Sequence, residues 1–213
     1  MSKEEKILNL ILWKYVYFVK FDDTIWILKK INRHKEIKTI LDLGCGEGIT
    51  TICMAKLFPK AKVFGIDHNK NSIKDAKEFA TRLKLKNVRF EVADIKKIPF
   101  KNSFFDCVIS QKVFHYFKNK KEKINEITRV LKTNGIVYMA EFIKVKPELI
   151  KDKINYILNY LMNFRLRYYI SLKEFLSITE EANLKPIQCD SHCGLSCKGT
   201  KVYNFIFQKG NGG

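Results

Sequence analysis

Leu41-Asp42-Leu43-Gly44-Cys45-Gly46-Glu47-Gly48 is the stretch on which the reading of this chain turns. It lies where a short aliphatic run from Thr39 passes into a helical pattern after Gly48, and in an open parallel sheet that strand-to-helix turn is where ligands bind. Glycines belong there because a side chain would hold the ligand away from the backbone. A dinucleotide loop, G-x-G-x-x-G, would carry its third glycine where Ile49 stands, and the Lys and Ser/Thr of a phosphate loop are missing. Charge is equally informative. The chain has 40 Lys+Arg against 22 Asp+Glu, a net charge of +18, yet Thr39 to Ala55 contains no basic residue, while Asp42 and Glu47 are acidic. A loop free of cations in so basic a protein suits a ligand carrying positive charge better than a phosphate.

Outward from the loop, residues 63–66, 88–92, 107–110 and 136–140 read as further strands, with helices between most of them, which predicts a parallel sheet with right-handed crossovers. The helix after the second strand is expected to start at Ser72 with Asp75 as its capping-box partner and to bury Ile73, Ala76, Ala80 and Leu83. Ile124, Ile127 and Leu131 mark the buried face of the helix before the fifth strand, and Asn134-Gly135 supplies a left-handed turn. The link beyond Asp94 is too short for a full crossover helix. Past the fifth strand, the pattern predicts an inserted helix over 147–169, a helix over 172–182 and closing strands near 186–190 and 202–207. Before the first strand, Ile7, Leu8, Ile11, Leu12, Tyr15, Phe18 and Val19 recur at helical spacing, and a second helix is expected over Asp23–Asn32. With 10 Gly and 4 Pro and no linker-like stretch, 213 residues are read as one domain. Its parts are an N-terminal helical arm (1–36), a ligand-binding core (37–141), a lid insertion (142–170) and a C-terminal helix and hairpin (171–209).

Two further strand ends are acidic: Asp67, within the spacing at which a carboxylate meets ribose hydroxyls, and Asp94, placed to accept from an adenine amine beside the Ile95 N–H. S-adenosylmethionine, with a sulfonium and an ammonium at one end and an uncharged adenosine at the other, has the profile these residues require. Four blocks in order carry a resemblance to a family: LDLGCGEG at 41–48, GID at 65–67, ADIKKIPFKNSFFDCVIS at 93–110 and RVLKTNGIVYMAE at 129–141. Over Thr39–Glu141 the chain resembles the class I S-adenosylmethionine-dependent methyltransferases, in their small-molecule, ubiquinone-biosynthesis-like branch. The resemblance implies an α/β fold: a seven-stranded, mostly parallel Rossmann-like sheet with helices on both faces and an antiparallel last strand. It also implies S-adenosylmethionine as cofactor, with S-adenosylhomocysteine as product. Gly44 and Gly46 would line its methionine end, together with Asp42 and Cys45 of the same loop. Asp67 with His68 would meet the ribose, Asp94 and Ile95 the adenine, and Gln111 the start of the acceptor side.

Methyl transfer from a sulfonium needs alignment, exclusion of water and, for a protonated acceptor, a base. His115, just past the fourth strand, is the candidate base, and Tyr116 a candidate wall of the acceptor site. Substrate contacts are also expected from the arm, through Tyr15, Tyr17 and Trp26, and from the insertion, through Arg165, Arg167, Tyr168 and Tyr169. The expected partner is a small molecule. A nucleic-acid methyltransferase is the alternative, prompted by the net charge and by Lys112, Lys118, Lys120, Lys121 and Lys123 beside the site. After the fourth strand, however, the chain has Ser110-Gln111-Lys112-Val113 in place of the Asn/Asp-Pro-Pro-aromatic run of base-amine methylation, and it lacks the Pro-Cys of cytosine-5 enzymes. A non-catalytic cofactor binder or a protein docked on a membrane by Trp13, Tyr15, Tyr17 and Phe18 are further alternatives. The first apolar run is interrupted by Lys14 and flanked by Lys20, Asp22 and Asp23, so it is not expected to span a bilayer, and with no export signal the 6 Cys are read as reduced thiols of a cytoplasmic protein. Cys189, Cys193 and Cys197 surround His192. Along one strand, a four-residue step separates sulfurs by about 13 Å, too far for a shared zinc; a shared metal would require Cys193 and Cys197 in a tight turn, which Gly194 and Gly199 permit but do not demand, and no metal is expected.

Overall fold

In a computed structural model, the described residues are 22–32, 36–144, 168–192 and 200–211. Helix α1 (Asp22–Ile31) precedes β1 (Thr39–Leu43), α2 (Ile49–Leu57), β2 (Lys62–Asp67), α3 (Lys70–Arg82), β3 (Val88–Val92) and β4 (Phe105–Gln111). Then come α4 (Lys120–Val130), β5 (Leu131–Lys144), β6 (Ile170–Ser171), α5 (Leu172–Glu181), β7 (Leu184–His192) and β8 (Thr200–Lys209), with single 3-10 turns at Ile95–Lys97 and Phe114–Tyr116. The expected arm before Asp22, with Tyr15 and Tyr17, lies outside the described residues, as do most of the insertion, with Arg165 and Arg167, and Cys193 and Cys197.

Seven strands form one path, β3-β2-β1-β4-β5-β8-β7, with β8 antiparallel to both neighbours and the first five mutually parallel. The short β6 pairs in parallel with Ile143 and Lys144 of β5, beyond the point where β4 ends at Gln111 opposite Ala140. Because strand side chains alternate, each central strand feeds two cores. Ile40, Val63, Cys107, Ile109 and Tyr138 face one in which α1, α2 and α3 bury Ile27, Ile52 and Ala76. Leu41, Phe64, Val108, Val137 and Met139 face the other, closed by α4 and α5 through Ile124, Ile127 and Phe175.

Three local expectations change. Helix α3 starts two residues earlier than Ser72, because Asn69, immediately past the strand-end turn, is its cap; the Asn69 side chain accepts from the Asn71 and Ser72 N–H groups. Leu131 opens β5 instead of closing α4, and Asn134 takes its left-handed φ of 61° inside the irregular start of that strand, where the pairing shifts between Phe105 and Cys107. Tyr168 and Tyr169, expected at the end of the inserted helix, are irregular and lead into β6. The short link between β3 and β4 needs no helix because Arg129 on α4 takes its place. Arg129 donates to the Ile98 and Phe100 carbonyls at 2.9 and 2.8 Å, and its partner Glu126 accepts from the Ile98 N–H.

Candidate active site

The glycine loop folds back over β2. Gly44 and Cys45 both donate to the Ile66 carbonyl, at 2.8 and 3.0 Å, and Gly48 closes the turn onto Cys45. Three positive φ values, 67° at Gly44, 52° at Gly46 and 80° at Gly48, are what this path demands. The glycines differ in what surrounds them. A Cβ at Gly44 would meet Val113 at 2.6 Å and one at Gly48 the Phe90 ring at 2.7 Å, so both are packed from within; a Cβ at Gly46 would meet nothing within 4 Å. At Gly46 the backbone of the loop therefore faces open space, at the strand-end position where the sequence anticipates a ligand.

Asp67 is the brace of this loop. One carboxylate oxygen accepts from the Gly46 N–H and the other from the Asn69 N–H, both at 2.9 Å, while exposed His68 lies beside it at 3.2 Å. Asp42 is buried beneath the loop and accepts from the Thr51 hydroxyl of α2 at 2.6 Å. Burial, added to by the nearby Asp67 charge and opposed by the Thr51 bond, pushes the Asp42 carboxyl up to about 7. Burial also pushes the Cys45 thiol up, with Asp42 and Asp67 adding to it, and the Cys53 thiol to about 12, so neither is a nucleophile. Asp94 is exposed; one of its oxygens caps the 3-10 turn by accepting from Lys96 N–H at 2.8 Å, and Ile95 beside it is buried.

On the other side of the loop, Gln111 ends β4 with its amide within 3.3 Å of the Thr24 and Thr50 hydroxyls, themselves 3.2 Å apart. Asp23, next to Thr24, pairs with Lys112 at 2.7 Å. The first turn of α1 is thereby tied to the strand ends, through residues the sequence reading had not selected. Trp26 does not serve this site: it packs edge-on against Tyr138 and donates to Asp190 on β7.

Past Gln111, the chain turns sharply and buries His115. Its Nδ1 lies 2.8 Å from Glu141 Oε1, and both side chains are almost wholly buried. Glu141 also accepts from the Phe114 and Phe142 N–H groups, at 2.6 and 2.7 Å. The ring of half-exposed Tyr116 lies 4.1 Å from the imidazole centroid, and Phe142 and Tyr169 lie at 5.0 and 6.2 Å. Tyr168 donates its N–H to the His115 carbonyl at 2.7 Å, and the Lys120 ammonium stands over its ring. Glu141 was legible only as the end of the fifth-strand block; its role depends on the register that sets it against the turn after β4.

The basic cluster is only partly open to solvent, with Lys118 and Lys121 exposed. Lys112 is paired with Asp23 and Lys121 with Glu181, while Lys120 and Lys123 are buried, with Lys120 donating to the Phe117 carbonyl and Lys123 over the Phe117 ring. Among the described residues, no group of His, Cys, Asp or Glu is arranged to hold a metal ion, and no helix is long and apolar enough to cross a membrane.

A doubly wound α/β sheet with a glycine loop, flanked by acidic strand ends at its carboxyl edge, defines a Rossmann-like protein built to seat a small ligand there. The profile of a family described as a methyltransferase domain matches residues 34–187, and the chain belongs to that family. It is 33% identical over 103 residues to a malonyl-[acyl-carrier protein] O-methyltransferase of Bacillus cereus, covering 48% of this chain and 37% of the relative. To the ubiquinone/menaquinone biosynthesis C-methyltransferase of Wigglesworthia glossinidia brevipalpis it is 32% identical over 131 residues, covering 60% of this chain and 52% of the relative. The matched stretch thus spans about a third to a half of these relatives. In fold, it is similar to a SAM-dependent methyltransferase of Methanosarcina mazei, with a TM-score of 0.71 and 21% identity over 83% of this chain and 94% of that one.

Proposed function

We propose that the protein is an S-adenosylmethionine-dependent methyltransferase acting on a small molecule in the cytoplasm. The observation that carries the reading is the open face of Gly46 within a loop braced by Asp67 and free of basic residues. When bound, S-adenosylmethionine supplies an electrophilic methyl group on a sulfonium that leaves as a neutral thioether. Gly44, Cys45 and Gly46 would seat its methionine end above Asp42, Asp67 and His68 the ribose, Asp94 and Ile95 the adenine, and Gln111 would divide cofactor from acceptor. His115 is the candidate base, with Tyr116 and Tyr168 on the acceptor side. Tyr15 and Arg165 stay with the arm and insertion as lid residues of one domain.

The residues present fit the cofactor: the loop is free of basic residues where the ligand is cationic, carboxylate acceptors stand at the strand ends where ribose hydroxyls and an adenine amine would donate, and the backbone is bare where the ligand must approach. The burial of Lys120 and Lys123 withdraws two of the five lysines between 112 and 123 from contact with a nucleic-acid backbone, whose affinity rests on free cations, and supports a small molecule. Calorimetric titration with S-adenosylmethionine and S-adenosylhomocysteine tests the reading. We expect micromolar binding at one site per chain and, at a hundredfold excess over Kd, stabilisation by about 2.7 kcal/mol. No heat and no thermal shift would end it.

A further inference from the structure

The geometry points to Glu141 as the positioning residue that makes His115 a base, and hence to an acceptor that enters as a neutral protic group, such as a hydroxyl, and loses its proton to His115. This rests on the methyltransferase reading and adds to it the chemical class of the acceptor.

The hydrogen-bond pattern at Glu141 carries the argument. Its Oε2 accepts from Phe114 N–H, and its Oε1 accepts from Phe142 N–H and meets His115 Nδ1. Backbone N–H groups are donors only, so two of the three partners demand an acceptor, and a carboxylate satisfies all three if Nδ1 also carries a proton. A neutral imidazole protonated at Nδ1 has its lone pair on Nε2, the arrangement a general base requires. The ring's orientation is fixed from other sides too. Tyr116, Phe142 and Tyr169 surround it, and the Tyr168 N–H holds the His115 carbonyl.

The proton balance follows. As the acceptor oxygen gains the methyl group, its O–H bond breaks and the proton passes to Nε2. The imidazolium so formed has the Glu141 carboxylate 2.8 Å away at Nδ1, and the proton leaves to water after product release. A carboxylate or thiolate acceptor has no proton to give up, and for such an acceptor a buried, carboxylate-oriented imidazole would be idle. Burying two ionisable groups in contact is costly unless their arrangement is used or fully satisfied; here it is satisfied on the Nδ1 side by design of the turn.

The test reads the imidazole itself. In the nitrogen-15-labelled full-length chain, two-bond proton–nitrogen correlations of His115, assigned by comparison with His115→Asn, distinguish the Nδ1–H tautomer, the Nε2–H tautomer and the imidazolium. At mildly alkaline pH, we expect Nδ1–H with bare Nε2 in the wild type, and a mixture of tautomers in Glu141→Gln, whose amide offers either an acceptor or a donor to Nδ1. An Nε2–H tautomer in the wild type, or an unchanged signal in Glu141→Gln, overturns the proposal; should that variant fail to fold, the wild-type tautomer still decides. Calorimetry with S-adenosylmethionine on the same samples separates the two levels: a wild type that fails to bind refutes the methyltransferase reading, whatever the tautomer. With methyl-labelled cofactor and a small-molecule extract, the product should be stable to alkali, as ethers and amines are. His115→Asn should lower label transfer by 10² or more with cofactor affinity unchanged. A base-labile methyl ester, the product of a carboxylate that has no proton to give, overturns the acceptor class.

Discussion

Replacing Gly46 by alanine separates the ligand-binding role of the loop from its folding role. The position has φ 52°, so an L-residue there costs about 1–2 kcal/mol of backbone strain. No steric term adds to this, since the new Cβ meets nothing within 4 Å, and the N–H that donates to Asp67 is retained. For a chain of this size, the melting temperature should fall by roughly 2–8 °C. Binding should suffer more in proportion. The methyl group would occupy the space in which a ligand approaches the backbone, and the affinity for S-adenosylmethionine should drop at least tenfold, about 1.4 kcal/mol. Gly44→Ala is the contrasting case, because its Cβ would lie 2.6 Å from Val113 at φ 67°; strain and overpacking together should cost about 2–5 kcal/mol of stability. The assay is paired thermal melts and calorimetric titrations of the three proteins. An unchanged affinity in a folded Gly46→Ala protein would refute the placement of the ligand against this loop.

Asp67→Ala removes the acceptor shared by the Gly46 and Asn69 N–H groups and should cost roughly 1–3 kcal/mol of stability in denaturant titration, along with a roughly ten- to hundredfold loss of cofactor affinity. Unchanged values would mean that the brace does not matter. Asp42 titrates near 7 when folded against 3.8 as its ordinary value, so the native state holds the extra proton between those values and its contribution to stability, full below about 4, is lost as pH rises through 7. Asp42→Asn should flatten that slope, worth on the order of 4 kcal/mol at most, and parallel slopes in wild type and variant would refute it. Elemental analysis of the purified protein should find no stoichiometric zinc or iron; one metal per chain, lost in Cys193→Ser, would make the C-terminal hairpin a metal site.

The sheet was legible because its signals are local. The first strand, read from Thr39, is a buried apolar run bounded by turn residues, and the edge strand at 88–92 shows the alternation of apolar and charged residues that a half-exposed strand requires. The loop was legible for the same reason: its signal lies in three alternate glycines and in the absence of basic residues. What escaped were choices made by tertiary contact. Asn69 and Ser72 are both acceptable caps, and the short turn after Asp67 selects Asn69. The lysines after β4 counted as surface charge until their partners, Asp23 and Glu181, were brought in from α1 and α5. His115 was recognisable as a lone histidine beside a site, but its partner is 26 residues away on the next strand, and only the β4–β5 register brings them together.

The most direct measurement incubates the purified chain with methyl-labelled S-adenosylmethionine and a cell extract separated into small-molecule, RNA and protein fractions. The account predicts protein-dependent label in the small-molecule fraction. Label carried by RNA and removed by nuclease, or no transfer to any fraction by a chain that binds the cofactor, would contradict it.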